Sequence, residues 1–314
     1  MSMSTLTSAP TPTSTSVSVI GLGFVGGAVL ESFRLLNCNV VGYDKYKDGF
    51  SSQTIFEKCA ETQIAFLCLP TVFDNALCEY DKSCIRDVCD RLEEFEYTGL
   101  VVIKSTVEPS TTAELADNYP SLKFAHNPEF LTASTAFTDF HNQTHIVLGA
   151  GPTTTSRDID VVAEFYHHYY PRAEISRCDS HDSESMKIYV NCFYAAKIQF
   201  FNELYALTEK TGGNYEVVRM LMLKNNWINP MHTICPGTDG QLSYGGGCFP
   251  KDTNALLSHM KNAGTISGVL SAVITERNSM RDDHCNVNGA HVSISSEDEQ
   301  EQSSCLFSQP NNLA

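Results

Sequence analysis

Positive charge is scarce in this chain of 314 residues: 21 Lys and Arg stand against 37 Asp and Glu, a formal net charge of −16. No Lys/Arg cluster rises above that background, which argues against a polyanionic partner such as nucleic acid. Long apolar runs are also missing. None approaches the roughly twenty residues needed to cross a bilayer, so no membrane association is expected. The amino terminus has no basic start and no apolar core, and residues 1–16 hold no arginine, so neither a secretory signal nor a transit peptide is expected. Twelve cysteines are present, yet no Cys-x-x-Cys pair occurs, so no metal site is expected. Reduced thiols in a cytoplasmic protein are the expectation. Cys68 and Cys192 lie inside apolar runs and read as small core residues.

The chain is long enough for two modest domains with real cores, and 42% of its residues are hydrophobic. Residues 1–16 are almost entirely Ser, Thr, Pro and Ala, the composition of a disordered leader. Order is expected from Val17, where a short β-branched run to Ile20 is followed by Gly21-Leu-Gly23-Phe-Val-Gly26 and then by apolar residues at helical spacing. Strand, glycine turn and helix together form the context that gives a GxGxxG pattern meaning. Gly21 permits the turn, Gly23 lets a diphosphate approach the backbone, and Gly26 lets helix and strand pack closely. The helix start at Phe24 and Val25 supplies amides and a partial positive charge. A second strand ends at Asp44, eighteen residues after Gly26, where a carboxylate binds an adenosine ribose and repels a 2′-phosphate. NAD is therefore expected over NADP.

Strands are predicted at 63–69 and 100–103, with Thr71, Ser105 and Thr106 beyond their carboxyl ends, where open α/β sheets bind ligands. Another apolar strand stops at Asn127-Pro128 and leaves Glu129 at a corner flanked by Phe130 and Leu131. That carboxylate reads either as a base with a raised pKa or as a helix-start acid. A strand over 145–149 and a helix over 161–169 follow. From Ser183 to about Lys210 a helical pattern runs without Pro or Gly. Glu184, Lys187 and Asn191 share one of its faces, and Met186, Val190, Phe193 and Ile198 form an apolar stripe. Whether the polar face is solvated or functional stays open at this level. Further helices are expected near 215, from Lys251 to about Met260, and over 267–280. From Arg281 the composition is that of a polar, disordered tail. The fold class is α/β: a Rossmann-type parallel sheet domain over 17–179, then an all-helical domain over 180–280.

The stretch Tyr244-Gly-Gly-Gly-Cys-Phe-Pro-Lys-Asp252 combines a thiol with backbone freedom. Pro250 is expected to keep Phe249 out of helical geometry and start a helix near Lys251. Cys248, at the mouth of that helix and beside a lysine, sits where thiolate is favoured. A buried cysteine in a tight turn is the alternative.

These segments resemble the nucleotide-sugar dehydrogenases, the family of UDP-glucose 6-dehydrogenase and GDP-mannose dehydrogenase. The resemblance spans about Val17 to Asn278 and is carried by Gly21–Gly26, Leu69-Pro-Thr71, Ser105-Thr-Val107, Asn127-Pro-Glu-Phe-Leu131, Lys187 with Asn191, Asn202-Glu203 and Gly246-Gly-Cys-Phe-Pro-Lys-Asp252. It implies a two-step, NAD-dependent oxidation of a sugar C6 alcohol to a carboxylate, UDP-glucose being the leading substrate, by a homodimer. Cys248 is then the covalent nucleophile, Lys187 and Asn191 stabilise the oxyanion, Asp252 and Glu129 handle protons, and Thr106 lies near the reacting carbon. Phe130, Leu131, Tyr244, Gly245, Gly246 and Phe249 are implied substrate contacts. Ala133 and His145 stand where the family usually has an acid and an arginine. The family continues into a second Rossmann-like, UDP-binding domain, and residues after Arg281 do not read as one. Two other readings remain: a β-hydroxyacid dehydrogenase, which also carries a lysine with an asparagine four residues on, and an NAD-binding paralogue without turnover that pairs with a longer relative.

Overall fold

The computed structural model describes residues 15–281; the expected leader and polar tail lie, apart from their innermost residues, outside the described region. The first half alternates strands and helices: β1 (Val17–Ile20), α1 (Phe24–Leu35), β2 (Val40–Tyr43), α2 (Gln53–Ala60) and β3 (Ile64–Leu67). A two-strand hairpin follows, β4 (Phe73–Asp74) and β5 (Glu79–Tyr80), then α3 (Ser83–Glu94), β6 (Leu100–Ile103), α4 (Thr111–Asn118) and β7 (Lys123–His126). Next come α5 (Ala136–His141), β8 (His145–Ala150), α6 (Ser156–Tyr169) and β9 (Glu174–Asp179). The remainder is helical: α7 (Ser180–Lys210), α8 (Tyr215–Leu223), α9 (Phe249–Asn262) and α10 (Gly268–Met280).

Seven strands form one sheet in the order β2-β1-β3-β6-β7-β8-β9. The first five run parallel, joined by helical crossovers. Both faces of the sheet are covered, and the period of two along each strand divides the core into two layers. Val17, Val19, Phe66 and Val102 face the side holding Phe33, Phe165 and Tyr166. Ile20, Leu67, Val101 and Ile103 face Phe56, Ile85, Leu92 and Leu115. A wholly parallel sheet does not form, because β8 runs antiparallel to β7. β9, absent from the sequence reading, pairs parallel with β8 at the sheet edge. Its sequence Glu-Ile-Ser-Arg-Cys-Asp lacks the apolar run that marks a buried strand, and its residues are half-buried or exposed, as suits an edge.

Three helix starts depart from expectation. α6 begins at Ser156 because Thr155 and Asp158 close a reciprocal capping box. α7 begins at Ser180, three residues early. α9 begins at Phe249 with Pro250 in its first turn, where the missing N–H costs no hydrogen bond.

The larger difference lies in which side of α7 is buried. Ser183, Glu184, Lys187, Ile188, Asn191, Cys192, Ala195, Gln199 and Asn202 face inward. The expected apolar stripe does not: Phe193 is 64% exposed, and Met186, Val190 and Ile198 are only half-buried. Polar residues occupy the inner face because partners meet them there. Glu184 accepts from the backbone N–H of Ser110 and of Thr112, both at 2.7 Å, so a carboxylate from α7 sits on the amino terminus of α4. The β4–β5 hairpin makes a second tie, with Phe73 and Tyr80 packed among Ile188, Cys192, Ala255, Leu256 and Leu270.

Candidate active site

Residues expected at the cofactor gather along the carboxyl ends of β1, β2, β3 and β6. Gly21 has φ +87°, and a Cβ there would lie 2.5 Å from the Cys68 carbonyl oxygen. At Gly26 it would lie 1.8 Å from the Gly21 carbonyl oxygen. Gly23 differs: a Cβ would meet nothing within 4 Å, so this backbone opens onto free space. No side chain caps α1, and Phe24 in its first turn is 78% exposed. That is the arrangement a diphosphate on a helix amino terminus requires. Asp44, at the end of β2, accepts from the N–H of Leu22 at 2.7 Å and of Tyr46 at 2.9 Å, which fixes its carboxylate beside the glycine turn. Thr71 donates to the Thr106 carbonyl at 2.7 Å, and Ser105 Oγ bonds the Leu69 carbonyl at 2.7 Å, so the β3 and β6 ends form one rigid ledge. These residues fit a dinucleotide.

Cys248 occupies the position just before α9, exposed, with no side chain capping the helix. Among the three glycines before it only Gly246 has positive φ, +76°. The expectation of a favoured thiolate is corrected. Desolvation around the sulfur raises its pKa, the Asp252 carboxylate raises it further, and the Lys251 ammonium opposes both without prevailing. Lys251 prevails little because Asp252 Oδ1 accepts its ammonium at 2.5 Å.

Asp252 lies one turn beyond Cys248, its N–H donating to the Cys248 carbonyl at 3.0 Å. It is wholly buried. Its Oδ2 accepts from Asn191 Nδ2 at 2.6 Å, and its Oδ1 accepts from both Lys251 and the Tyr80 hydroxyl. Asn191, on the same face of α7 as Lys187, thus spends one amide hydrogen on Asp252 and keeps the other. The Lys187 ammonium donates to Glu129 Oε1 at 3.1 Å and to the Glu129 carbonyl, which leaves its third hydrogen. Glu129 Oε2 accepts from the Leu131 N–H at 2.6 Å. Lys187 also lies 5.4 Å from the centre of the Phe130 ring. Through Asn191 and Lys187, α7 is thus tied both to α9 beside Cys248 and to the corner after β7.

Of the expected substrate contacts, Tyr244 and Gly245 pack into the helical part of the chain. Tyr244 is 2% exposed and packed with Ala195 and Val273; its hydroxyl meets Thr253 Oγ1 at 3.4 Å, so it belongs to the helical core. Gly245 abuts the Arg281 guanidinium, 2.4 Å from where a Cβ would stand. Gly246 is exposed, Leu131 is half-buried, and Phe249 packs edge-on to His232. Two clefts of about 250 and 230 Å³ lie elsewhere, one between Phe24 and the segment Ala133–Thr138, the other between Lys82, Glu108 and His259.

The sequence reading also missed residues. Tyr80 reaches Asp252 across 172 positions of chain, from a strand two residues long, and no short-range pattern signals that. Lys104 did leave a signal, a lysine directly after four apolar strand residues. It is 2% exposed, and its ammonium donates to Asn127 at both the carbonyl, 3.1 Å, and Oδ1, 2.9 Å. Burial pulls its pKa down to about 8, and Lys187 adds to that, while Glu129 resists.

Two family models match the chain: the UDP-glucose/GDP-mannose dehydrogenase family NAD binding domain over residues 45–170, and the central domain of the same family over residues 181–279. The chain belongs to the UDP-glucose/GDP-mannose dehydrogenase family. A UDP-glucose 6-dehydrogenase of Bacillus subtilis is 32% identical over 190 residues, which cover 58% of this chain and 41% of that protein. The chain thus spans less than half the length of this relative. Among solved structures, a UDP-glucose dehydrogenase from Pyrobaculum islandicum superposes with a TM-score of 0.74 at 25% identity, covering 87% of this chain and 70% of the other. A Mycobacterium tuberculosis 3-hydroxyisobutyrate dehydrogenase shares the fold, with a TM-score of 0.67 at 16% identity, covering 86% of this chain and 94% of that one.

Proposed function

We propose that the chain is an NAD-dependent nucleotide-sugar 6-dehydrogenase that converts UDP-glucose to UDP-glucuronate in the cytoplasm. Residues 17–179 form its cofactor domain and 180–280 its central domain. The observation that carries this reading is Cys248 at the start of α9 with Asp252 one turn beyond it, bonded to Asn191 on the same buried face of α7 as the Lys187–Glu129 pair. NAD supplies the hydride acceptor in both oxidations. The first oxidation converts the C6 alcohol to an aldehyde, with Lys187 and Asn191 stabilising the oxygen as its charge changes. The Cys248 sulfur then adds to the aldehyde carbon and gives a thiohemiacetal. Loss of a second hydride gives a thioester, which water cleaves to the carboxylate and free thiol, Glu129 serving as base and Asp252 orienting the water. Thr106, on the ledge at the end of β6, lies beside the reacting carbon.

A β-hydroxyacid dehydrogenase is favoured by one observation, the likeness to 3-hydroxyisobutyrate dehydrogenase over 94% of that chain. Such a reaction ends after one oxidation and needs no thiol. An assay of NADH formation over UDP- and GDP-sugars and 3-hydroxy acids separates the readings. Two NADH per UDP-glucose are expected; one NADH per substrate means that the thioester route is wrong. Stabilisation by NAD with no response to any sugar or acid leaves the non-catalytic paralogue.

The outer face of α7 supports a homodimer. Tyr189, Phe193, Phe200 and Leu207 recur at helical spacing and are 52–64% exposed, and Met220 and Leu221 of α8 add 55% and 64%. A second copy of the chain, meeting the same stripe, covers this apolar area. Sedimentation velocity is expected to give a dimer at micromolar concentration, and a monomer there refutes it.

A further inference from the structure

Among the described residues of the sheet domain, it is the β4–β5 hairpin that hydrogen-bonds the carboxylate one turn beyond Cys248. From the hydrogen bond between the Tyr80 hydroxyl and Asp252 Oδ1 we infer that Tyr80 is a positioning residue of the Cys248 site. It sets the orientation and the effective charge of the Asp252 carboxylate, and through Asp252 the reactivity of the thiol. The inference deepens the dehydrogenase reading and rests on it for turnover, but not for thiol reactivity.

Four features support the assignment. Tyr80 is 1% exposed, so its hydroxyl does not exchange partners with bulk water. Its own backbone is fixed, the N–H donating to Glu108 Oε1 at 2.5 Å while its ring packs against Ile188, Cys192 and Ala255. The hydroxyl stays protonated, because burial and the neighbouring Asp252 carboxylate both hold its pKa well above the phenol value, so it acts as a donor throughout the working range. Lys251 lies 4.4 Å from the centre of the same ring while its ammonium meets Asp252 Oδ1. Tyr80 therefore organises both donors to that oxygen, one through its hydroxyl and one through its ring. Asn191 holds the other oxygen.

The charged groups acting on Cys248 are Asp252 and Lys251 from α9, Glu129 from the corner after β7, and Lys187 from α7. Of these, only the Asp252–Lys251 pair changes when the Tyr80 hydroxyl is removed. Without that donor more of the carboxylate's negative charge is felt at the sulfur, and the thiolate becomes harder to form. The test is the pH dependence of Cys248 alkylation by iodoacetamide, read by mass spectrometry of the Cys248 peptide in the full chain. Tyr80→Phe is expected to move the midpoint up by about one pH unit. Replacing Tyr80 with 3-fluorotyrosine, a stronger donor of the same shape, is expected to move it down. Phe73→Leu, which loosens the hairpin without touching the hydroxyl, leaves it in place. In NADH formation Tyr80→Phe is expected to lower kcat about tenfold with little change in KM. An unchanged alkylation midpoint in a Tyr80→Phe protein that melts like wild type overturns the assignment, as does a shift of equal size in Phe73→Leu. Alkylation needs no sugar, so these outcomes hold even for a chain that oxidises none, whereas NADH formation that fails in wild type counts against the dehydrogenase reading alone.

Discussion

Cys248→Ser is expected to lower steady-state NADH formation from UDP-glucose by at least about a thousandfold while leaving NAD binding unchanged. The chain offers a sulfur whose pKa is already held up by desolvation and by Asp252, so at neutral pH only a minor fraction is thiolate. That fraction rises about tenfold per pH unit up to the pKa, and turnover limited by thiol addition rises with it. A serine hydroxyl in the same place ionises far less readily than the thiol, so it adds to the aldehyde far more slowly. On the proposed route the first oxidation does not use the sulfur. In a single turnover with enzyme in excess, wild type is expected to yield two NADH per sugar and Cys248→Ser about one. Serine turnover within a few-fold of wild type, or two NADH in its single turnover, rules out the covalent route.

Much of the fold was legible because burial on both faces leaves a plain trace. Strands such as Leu100-Val-Val-Ile103 are continuous apolar runs, and the glycine turn after Ile20 has the spacing that backbone contact demands. β9 and the β4–β5 hairpin left no such trace. One is an edge strand of mixed polarity; the other has strands of two residues held by side-chain packing rather than by propensity. The α7 pattern shows an apolar stripe and leaves the fate of the polar face open; in the fold Glu184, Lys187 and Asn191 are buried, each with a charged or backbone partner from another element. Burial of polar groups depends on partners remote in sequence, and the pattern along a single helix does not contain them.

The family resemblance singled out Cys248, Asp252, Lys187, Asn191 and Glu129, but it did not contain how they pair in this structure. The lysine beside Cys248 suggested a stabilised thiolate, whereas Lys251 is bound to Asp252 and the carboxylate outweighs it. Proximity in sequence gave the right charge and the wrong balance. Tyr80, which completes the shell of Asp252, lies 172 positions away and required the fold.

Lys187→Met is expected to show how far this pairing is structural and how far catalytic. Its side chain is 5% exposed and that of Glu129 13%, so the pair is screened little by water. Removing the ammonium leaves the Glu129 carboxylate nearly buried, with the Leu131 N–H on one oxygen and the lysine lost from the other. Stability in urea is expected to fall by about 3 kcal/mol, the usual cost of stranding one member of a buried pair. NADH formation is expected to fall by about 10²- to 10³-fold, the range for losing one donor to a developing oxyanion. Glu129→Gln added to Lys187→Met removes the stranded charge, so the double variant regains most of the lost stability but none of the lost rate. That divergence separates the two roles: stability follows the charge on Glu129, and rate follows the ammonium of Lys187. A double variant that recovers turnover together with stability makes Lys187 a structural partner of Glu129, and a Lys187→Met enzyme within tenfold of wild-type kcat removes it from the reaction.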